Sequence, residues 1–284
     1  MAAPMTARPR ILIGVDLNVP GHGWLAARAA PFALRTQAQV DVIYVGEATD
    51  SGRKRLEEHL RQDFVDEIRG EALMRAGKAE EVLVELSADY DVLVVGPREP
   101  GALERMLKGT MAQRVLRGAR CPVLVPRSAG PTDRPWRVLA GLDLNGPHRQ
   151  RVLTDAGRWA ARLGGGKVDG VYAMAESLPP IKRKDVRALA EKEWAASREP
   201  VRQSIATMMA DCVPEEVRGE ALVRRGEAED VLATMSADYD LIVVGNRSRA
   251  GLGRLLLGTV AQNVVRSAHC DVLTLPTAQY ELAG

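Results

Sequence analysis

Short apolar runs of strand length recur along the chain, each followed by a stretch with apolar residues at helical spacing. In the first part, 11–16 is such a run. An Ala-rich helical stretch follows near 22–36, then a strand at 40–45 and a charged helix near 52–68. A strand near 71–75 precedes 78–86, where Ala79, Val82, Leu83 and Leu86 fall on one helical face. The predicted order then runs strand 91–96, helix 103–116 and strand 122–126. Continuous Val/Ile/Leu runs mark parallel strands covered on both faces. Their alternation with helices predicts a doubly wound parallel sheet with right-handed crossovers.

The pattern occurs twice. Residues 71–96, EALMRAGKAEEVLVELSADYDVLVVG, align with 220–245, EALVRRGEAEDVLATMSADYDLIVVG, at a constant offset of 149, with 17 of 26 positions identical. The offset persists downstream: Gly109-Thr110 matches Gly258-Thr259, and Cys121 matches Cys270. Upstream it falls to 127, where Val15-Asp16-Leu17-Asn18 matches Leu142-Asp143-Leu144-Asn145. The second copy therefore carries 22 extra residues between about 176 and 215, in a stretch that reads as a longer helix than its counterpart. A repeat of this size is one folding unit used twice. The polar, proline-rich segment after Arg127 divides the chain into domains 1–128 and 136–284 with a linker at 129–135. The fold class is two tandem doubly wound five-stranded parallel-sheet domains. Residues 123–125 and 272–275 are the terminal strands of the two copies. A homodimer remains open as a further association.

Composition narrows the function. The chain has 284 residues, 46% hydrophobic and 27% charged, with a formal charge of +2. So balanced a charge argues against nucleic acid or an anionic membrane surface as partner. No apolar run reaches the roughly 18–20 residues of a membrane span, and the start lacks the apolar core of a secretory signal. Three cysteines, Cys121, Cys212 and Cys270, form no CxxC pair and suit a reducing cytoplasm. His22, His59, His148 and His269 show no metal-ligand spacing.

In an open parallel sheet, ligands bind beyond the carboxyl ends of the strands where the strand order reverses. The loop after the fourth strand carries the clearest signal. In the second copy it runs from Gly245 through Asn246, Arg247, Ser248, Arg249, Ala250 and Gly251 to Gly258 and Thr259. Free backbone N–H groups at a glycine-rich turn before a helix bind anions, and absent side chains let phosphate oxygens approach.

These residues resemble the universal stress protein family, whose ATP-binding members carry G-x2-G-x9-G-[ST] at this place. Gly245, Ser248, Gly258 and Thr259 stand at those spacings, with Ser248 in place of the second glycine. The first copy has Gly96, Glu99, Gly109 and Thr110. The resemblance also covers the aspartates ending the first strands, Asp16 and Asp143, and the helix followed by Cys121-Pro122-Val123-Leu124-Val125. It implies an adenine-nucleotide-alpha-hydrolase-like fold and a cytoplasmic, regulatory stress protein that binds ATP, with magnesium as the counter-ion, and whose two domains pair internally through strands 123–125 and 272–275 as a pseudo-dimer. The implied contacts in the second domain are Leu142, Asp143, Ala173, Gly245, Arg247, Ser248, Gly258, Thr259 and Val260. The weaker set in the first is Asp16, Gly96, Gly109 and Thr110. In that first loop Glu99 would repel phosphate, and Pro97 and Pro100 remove two N–H donors. The expectation is nucleotide in the second domain and a mainly structural first. The alternative is a module without nucleotide that acts through protein partners or another small ligand.

Simpler roles compete for the same residues. Gly96 and Gly245 can be strand-end glycines packed under a helix, and Asp16 and Asp143 can cap the next helix. Arg247, Arg249 and Arg254 can neutralise phosphate or form a solvated basic loop. Cys121 and Cys270 read as small buried residues, Tyr90 and Tyr239 as covers of the sheet edge, and 164–166 as a helix stop. His269 matches Arg120 and reads as a surface residue. With no GxSxG elbow, no P-loop and no assembled triad, an enzyme is not expected beyond slow, incidental ATP hydrolysis.

Overall fold

A computed structural model describes residues 8–18, 23–96, 110–127, 130–146, 149–175, 184–246 and 258–276. In the first half the strands are β1 (Arg10–Val15), β2 (Gln39–Val45), β3 (Arg69–Arg75), β4 (Val92–Val94) and β5 (Val123–Val125). The helices are α1 (Gly23–Thr36), α2 (Asp50–Asp63), α3 (Ala79–Leu86) and α4 (Thr110–Gly118). The second half repeats the order with β6 (Val138–Gly141), β7 (Val168–Met174), β8 (Arg218–Arg225), β9 (Leu241–Gly245) and β10 (Asp271–Leu275). Its helices are α5 (Arg149–Arg162), α6 (Lys184–Cys212), α7 (Ala228–Met235) and α8 (Thr259–Ser267). Of the expected 103–116 helix, the part before Thr110 lies outside the described residues.

All strands join one ten-stranded sheet, ordered β3-β2-β1-β4-β5-β10-β9-β6-β7-β8. Within each half the pairing is parallel. The halves meet antiparallel, with Val123, Leu124 and Val125 opposite Thr274, Leu273 and Val272. This register centres a pseudo-twofold on Leu124 and Leu273, so the expected pairing of the terminal strands turns two sheets into one.

Alternate strand residues feed two cores. Ile11, Ile13, Val92 and Val94 point to the face covered by α1, α2, α5 and α6; Leu12 and Leu93 point to the face covered by α3, α4, α7 and α8. The first face crosses the pseudo-twofold. Phe32 of α1 lies 6.0 Å from the Trp136 ring and 5.2 Å from that of Trp159 on α5. Trp136 Nε1 donates to the Pro131 carbonyl, and Arg35 at the end of α1 donates to the carbonyls of Thr132 and Arg134. The connecting segment is thus fastened to the first half.

Repeated details show why both halves fold alike. Gly77 and Gly226 make the turns before α3 and α7 at φ +133° and +132°, a region closed to most side chains. Gly164 and Gly165, also at positive φ, stop α5 as expected. Asp41 and Asp169 sit at register shifts in the β2–β3 and β7–β8 pairs. There the carboxylates accept from the backbone N–H of Glu71 and Glu220, and from the hydroxyls of Tyr90 and Tyr239. Arg10 and Arg137 lie over those tyrosine rings. The tyrosines therefore hold a carboxylate, buried at Asp41 and half-buried at Asp169, as well as covering the edge.

The extra residues of the second copy do lengthen a helix. α6 has 29 residues against 14 in α2. Its last 14 positions match α2, so Pro200, inside α6, stands where Ser51 occupies the first turn of α2. Proline is tolerated at a first turn, and the extension continues amino-terminal to it. Arg225, at the end of β8, fixes the extension by pairing with Glu191 at 2.9 Å and lying 4.7 Å over the Trp194 ring.

Candidate functional site

Strand order reverses between β1 and β4 in the first half and between β6 and β9 in the second, which places a crevice beyond the carboxyl ends of each. In the second half, Leu142 leaves β6 with its N–H on the Val171 carbonyl, and Asp143 follows, half-buried. Asp143 Oδ1 accepts from the Asn145 N–H at 3.1 Å, and Asp16 Oδ1 accepts from Asn18 at the same distance. These bonds close local turns at the crevice. Arg149 and Arg55 hold the carbonyls of Leu144 and Leu17, each at 2.8 Å, steadying the same loop in both halves.

Ala173 lies half-buried near the end of β7, and Gly245 ends β9. A side chain at Gly245 would make only ordinary contact with Val152 at 3.4 Å, whereas one at Gly96 would meet Leu25 at 2.4 Å. Gly96 is thus held under α1 by packing, and Gly245 has more room. Gly258 is the N-cap of α8 at φ −59° and forms no side-chain cap. Thr259 and Val260 are exposed in the first turn, Val260 at 36%. The amino end of a helix carries N–H groups without partners inside the helix, a feature that can receive an anion. Arg247, Ser248 and Gly109, like Pro97, Glu99 and Pro100, lie outside the described residues. Thr110 is the first residue of α4.

The crevices differ. In the first half Asn18 Nδ2 donates to the Tyr44 hydroxyl at 3.0 Å, tying the loop after β1 to the end of β2. The ring folds so closely over Gly46 that a side chain there would lie 2.5 Å from it. The corresponding residues of the second half, Asn145 and Tyr172, make no such bond. Sequence reasoning missed this strap, and it missed Asn246. Asn246 is only 3% exposed and receives the Gly258 N–H on Oδ1 at 3.3 Å. Its signal was available as a contrast: the first copy has Pro97 at that place.

The cysteines take the simple role. Cys121 and Cys270 are buried, and burial pushes both thiols up to about 12. His269 and Arg120 are both exposed, as expected from their alignment. Among the described residues, no group of three or more His, Cys, Asp or Glu is placed to hold a metal, and no helix is long and apolar enough to cross a membrane.

The universal stress protein family model matches residues 8–127 and again 136–276. A universal stress protein of Mycobacterium tuberculosis is 28% identical over 197 residues, covering 67% of this chain. That match spans 63% of the relative, less than two thirds of its length. A second from the same species is 26% identical over 267 residues, covering 88% of this chain and 81% of the relative. Among solved structures, a functionally unknown protein of Pseudomonas aeruginosa superposes with a TM-score of 0.64 at 20% identity, over 95% of this chain and 93% of its own. A universal stress protein of Archaeoglobus fulgidus gives 0.62 at 16% identity, over 94% and 96%. At these identities the structural likeness speaks for the fold, and the matched models for the lineage. The chain belongs to the universal stress protein family and carries the family domain twice.

Proposed function

We propose that this protein is a regulatory stress protein of the cytoplasm whose second domain, 136–284, binds ATP or another adenine nucleotide, while the first, 1–128, is mainly structural. One contrast carries the reading. The second crevice combines Asp143 with the exposed start of α8, and no Asn–Tyr strap crosses it. The first is strapped by Asn18 and Tyr44. The described residues suit a nucleotide. The first-turn N–H groups of α8 and the Thr259 hydroxyl would meet phosphate oxygens, and Asp143 would accept from ribose hydroxyls. Ala173 and Leu142 would line the base side. Magnesium would arrive on the phosphates, which matches its habit of keeping few protein ligands.

The reading is ligand sensing and not turnover. A ligand that binds only the folded state raises its stability by mass action. Magnesium-ATP should therefore raise the melting temperature in a concentration-dependent way, and Asp143→Ala should diminish the rise. An unchanged melting curve at saturating ATP would refute the proposal.

A further inference from the structure

Besides the β5–β10 pair and the aromatic cluster, two side chains donate across the seam to helix carbonyls, and they are not equivalent. Leu116 in the last turn of α4 and Val265 in the last turn of α8 occupy matching places, at the offset of 149. Late helical carbonyls have no partner within the helix, and each of these accepts from the opposite half. The Leu116 carbonyl takes Nδ2 of Asn246 at 2.6 Å, and the Val265 carbonyl takes the guanidinium of Arg127. The counterpart of Asn246 is Pro97 and that of Arg127 is Pro276, neither with a side-chain donor. One seam bond therefore starts at the mouth of a ligand loop, directly after β9. The other starts beyond β5, where the Arg127 N–H is also held by Asp271 Oδ1 at 2.7 Å.

Asn246 is fully engaged. Its amide donates to Leu116, its Oδ1 accepts from the Gly258 N–H that begins α8, and its backbone N–H donates to the Leu275 carbonyl at 2.9 Å. A carboxamide is suited to this position because it donates and accepts at once, and the flanking carbonyl and N–H fix which end is which. Any displacement of the start of α8 pulls on Oδ1 and so on the bond to Leu116. Losing one partner of a buried amide is costly, so displacing the Gly258 N–H weakens the bond to Leu116.

We infer that Asn246 is a positioning residue that fixes the start of α8 and couples it to α4 of the other half, so that events at the second domain's loop are felt across the seam. Arg127 holds the reciprocal contact without such a link. The ligand part rests on the nucleotide reading; the coupling itself does not.

Hydrogen exchange of the full chain, followed by mass spectrometry, tests it in two arms. Without ligand, Asn246→Asp keeps the acceptor for Gly258 and removes the donor to Leu116. Amides 115–119 should exchange about tenfold faster, the scale of one lost hydrogen bond, while 258–262 stay unchanged. Gly258→Pro, compatible with φ −59°, removes the N–H that holds Oδ1. It should speed exchange at 115–119 when Asn246 is present and have no further effect in the Asn246→Asp background. Arg127→Ala should loosen 264–268 and leave 115–119 alone. With magnesium-ATP, wild type should gain protection at both 258–262 and 115–119, and Asn246→Asp at 258–262 only. Exchange at 115–119 that ignores Gly258→Pro would overturn the coupling whether or not ATP binds. So would equal ATP protection of 115–119 in wild type and Asn246→Asp. If ATP changes nothing in wild type while the ligand-free results hold, the nucleotide reading fails and the coupling stands.

Discussion

The hydroxyl of Tyr90 donates to Oδ2 of Asp41 at 2.7 Å at the amino edge of the sheet, and Tyr239 makes the same bond to Asp169 at 2.7 Å in the second half. Asp41 is 1% exposed and also holds Arg10 and the Glu71 N–H. Tyr90→Phe removes one donor from a buried carboxylate and should lower stability by about 1–3 kcal/mol, read by urea unfolding. Tyr239→Phe should cost less, because Asp169 is only half-buried.

The same pair sets an alkaline limit. Burial first, and the bond to the carboxylate second, raise the Tyr90 and Tyr239 hydroxyls well above the ordinary tyrosine value. The folded state thus holds these protons more tightly than the unfolded chain. Their contribution is complete below about pH 10 and is lost as pH rises above it. Unfolding free energy should fall steeply beyond pH 10, and less steeply in the double Tyr→Phe variant. Parallel curves for the two proteins would contradict the assignment.

Trp136 is fully buried at the junction, edge-on to Phe32 of the first half, which also packs on Trp159 of the second. Trp136→Ala should destabilise by about 3–5 kcal/mol. Because the cluster spans both halves, the loss should appear as one cooperative transition shifted to lower denaturant. Two separated transitions would show halves that fold independently.

Thiol labelling should be graded. Cys121 and Cys270 are buried, with thiols pushed up to about 12, whereas Cys212 is partly exposed. At pH 8 a thiol reagent should modify Cys212 alone in the folded chain and all three after unfolding, read by mass spectrometry. Rapid reaction of Cys270 would contradict its place in the core.

The scaffold was legible because it is written twice in local patterns: apolar runs, helical spacing, and a 149-residue offset that located the extra turns of α6. The terminal strands could be paired because the resemblance implied it and both copies sit in one chain, Val123–Val125 ending the first. What stayed hidden depends on partners distant in the chain. Asp41 is a single polar residue in an apolar strand, and its donors lie 30 and 49 positions away. The strap from Asn18 to Tyr44 spans 26 positions and the bond from Asn246 to Leu116 spans 130. The aspartates that sequence alone left between capping and ligand contact each accept from the N–H two residues on, a local turn that spacing did not show. The inequality of the two loops was legible in Pro97, Glu99 and Pro100 against Ser248; the strap from Asn18 to Tyr44 adds a tertiary contrast that was not.

The central claim is that the second half holds the nucleotide. Calorimetric titration of the full chain with magnesium-ATP tests it most directly. The account predicts one saturable site per chain, abolished by Gly258→Trp, weakened about tenfold or more by Asp143→Ala, and unaffected by Asp16→Ala. No saturable heat up to about millimolar ATP, or equal loss in the Asp16 and Asp143 variants, would contradict it.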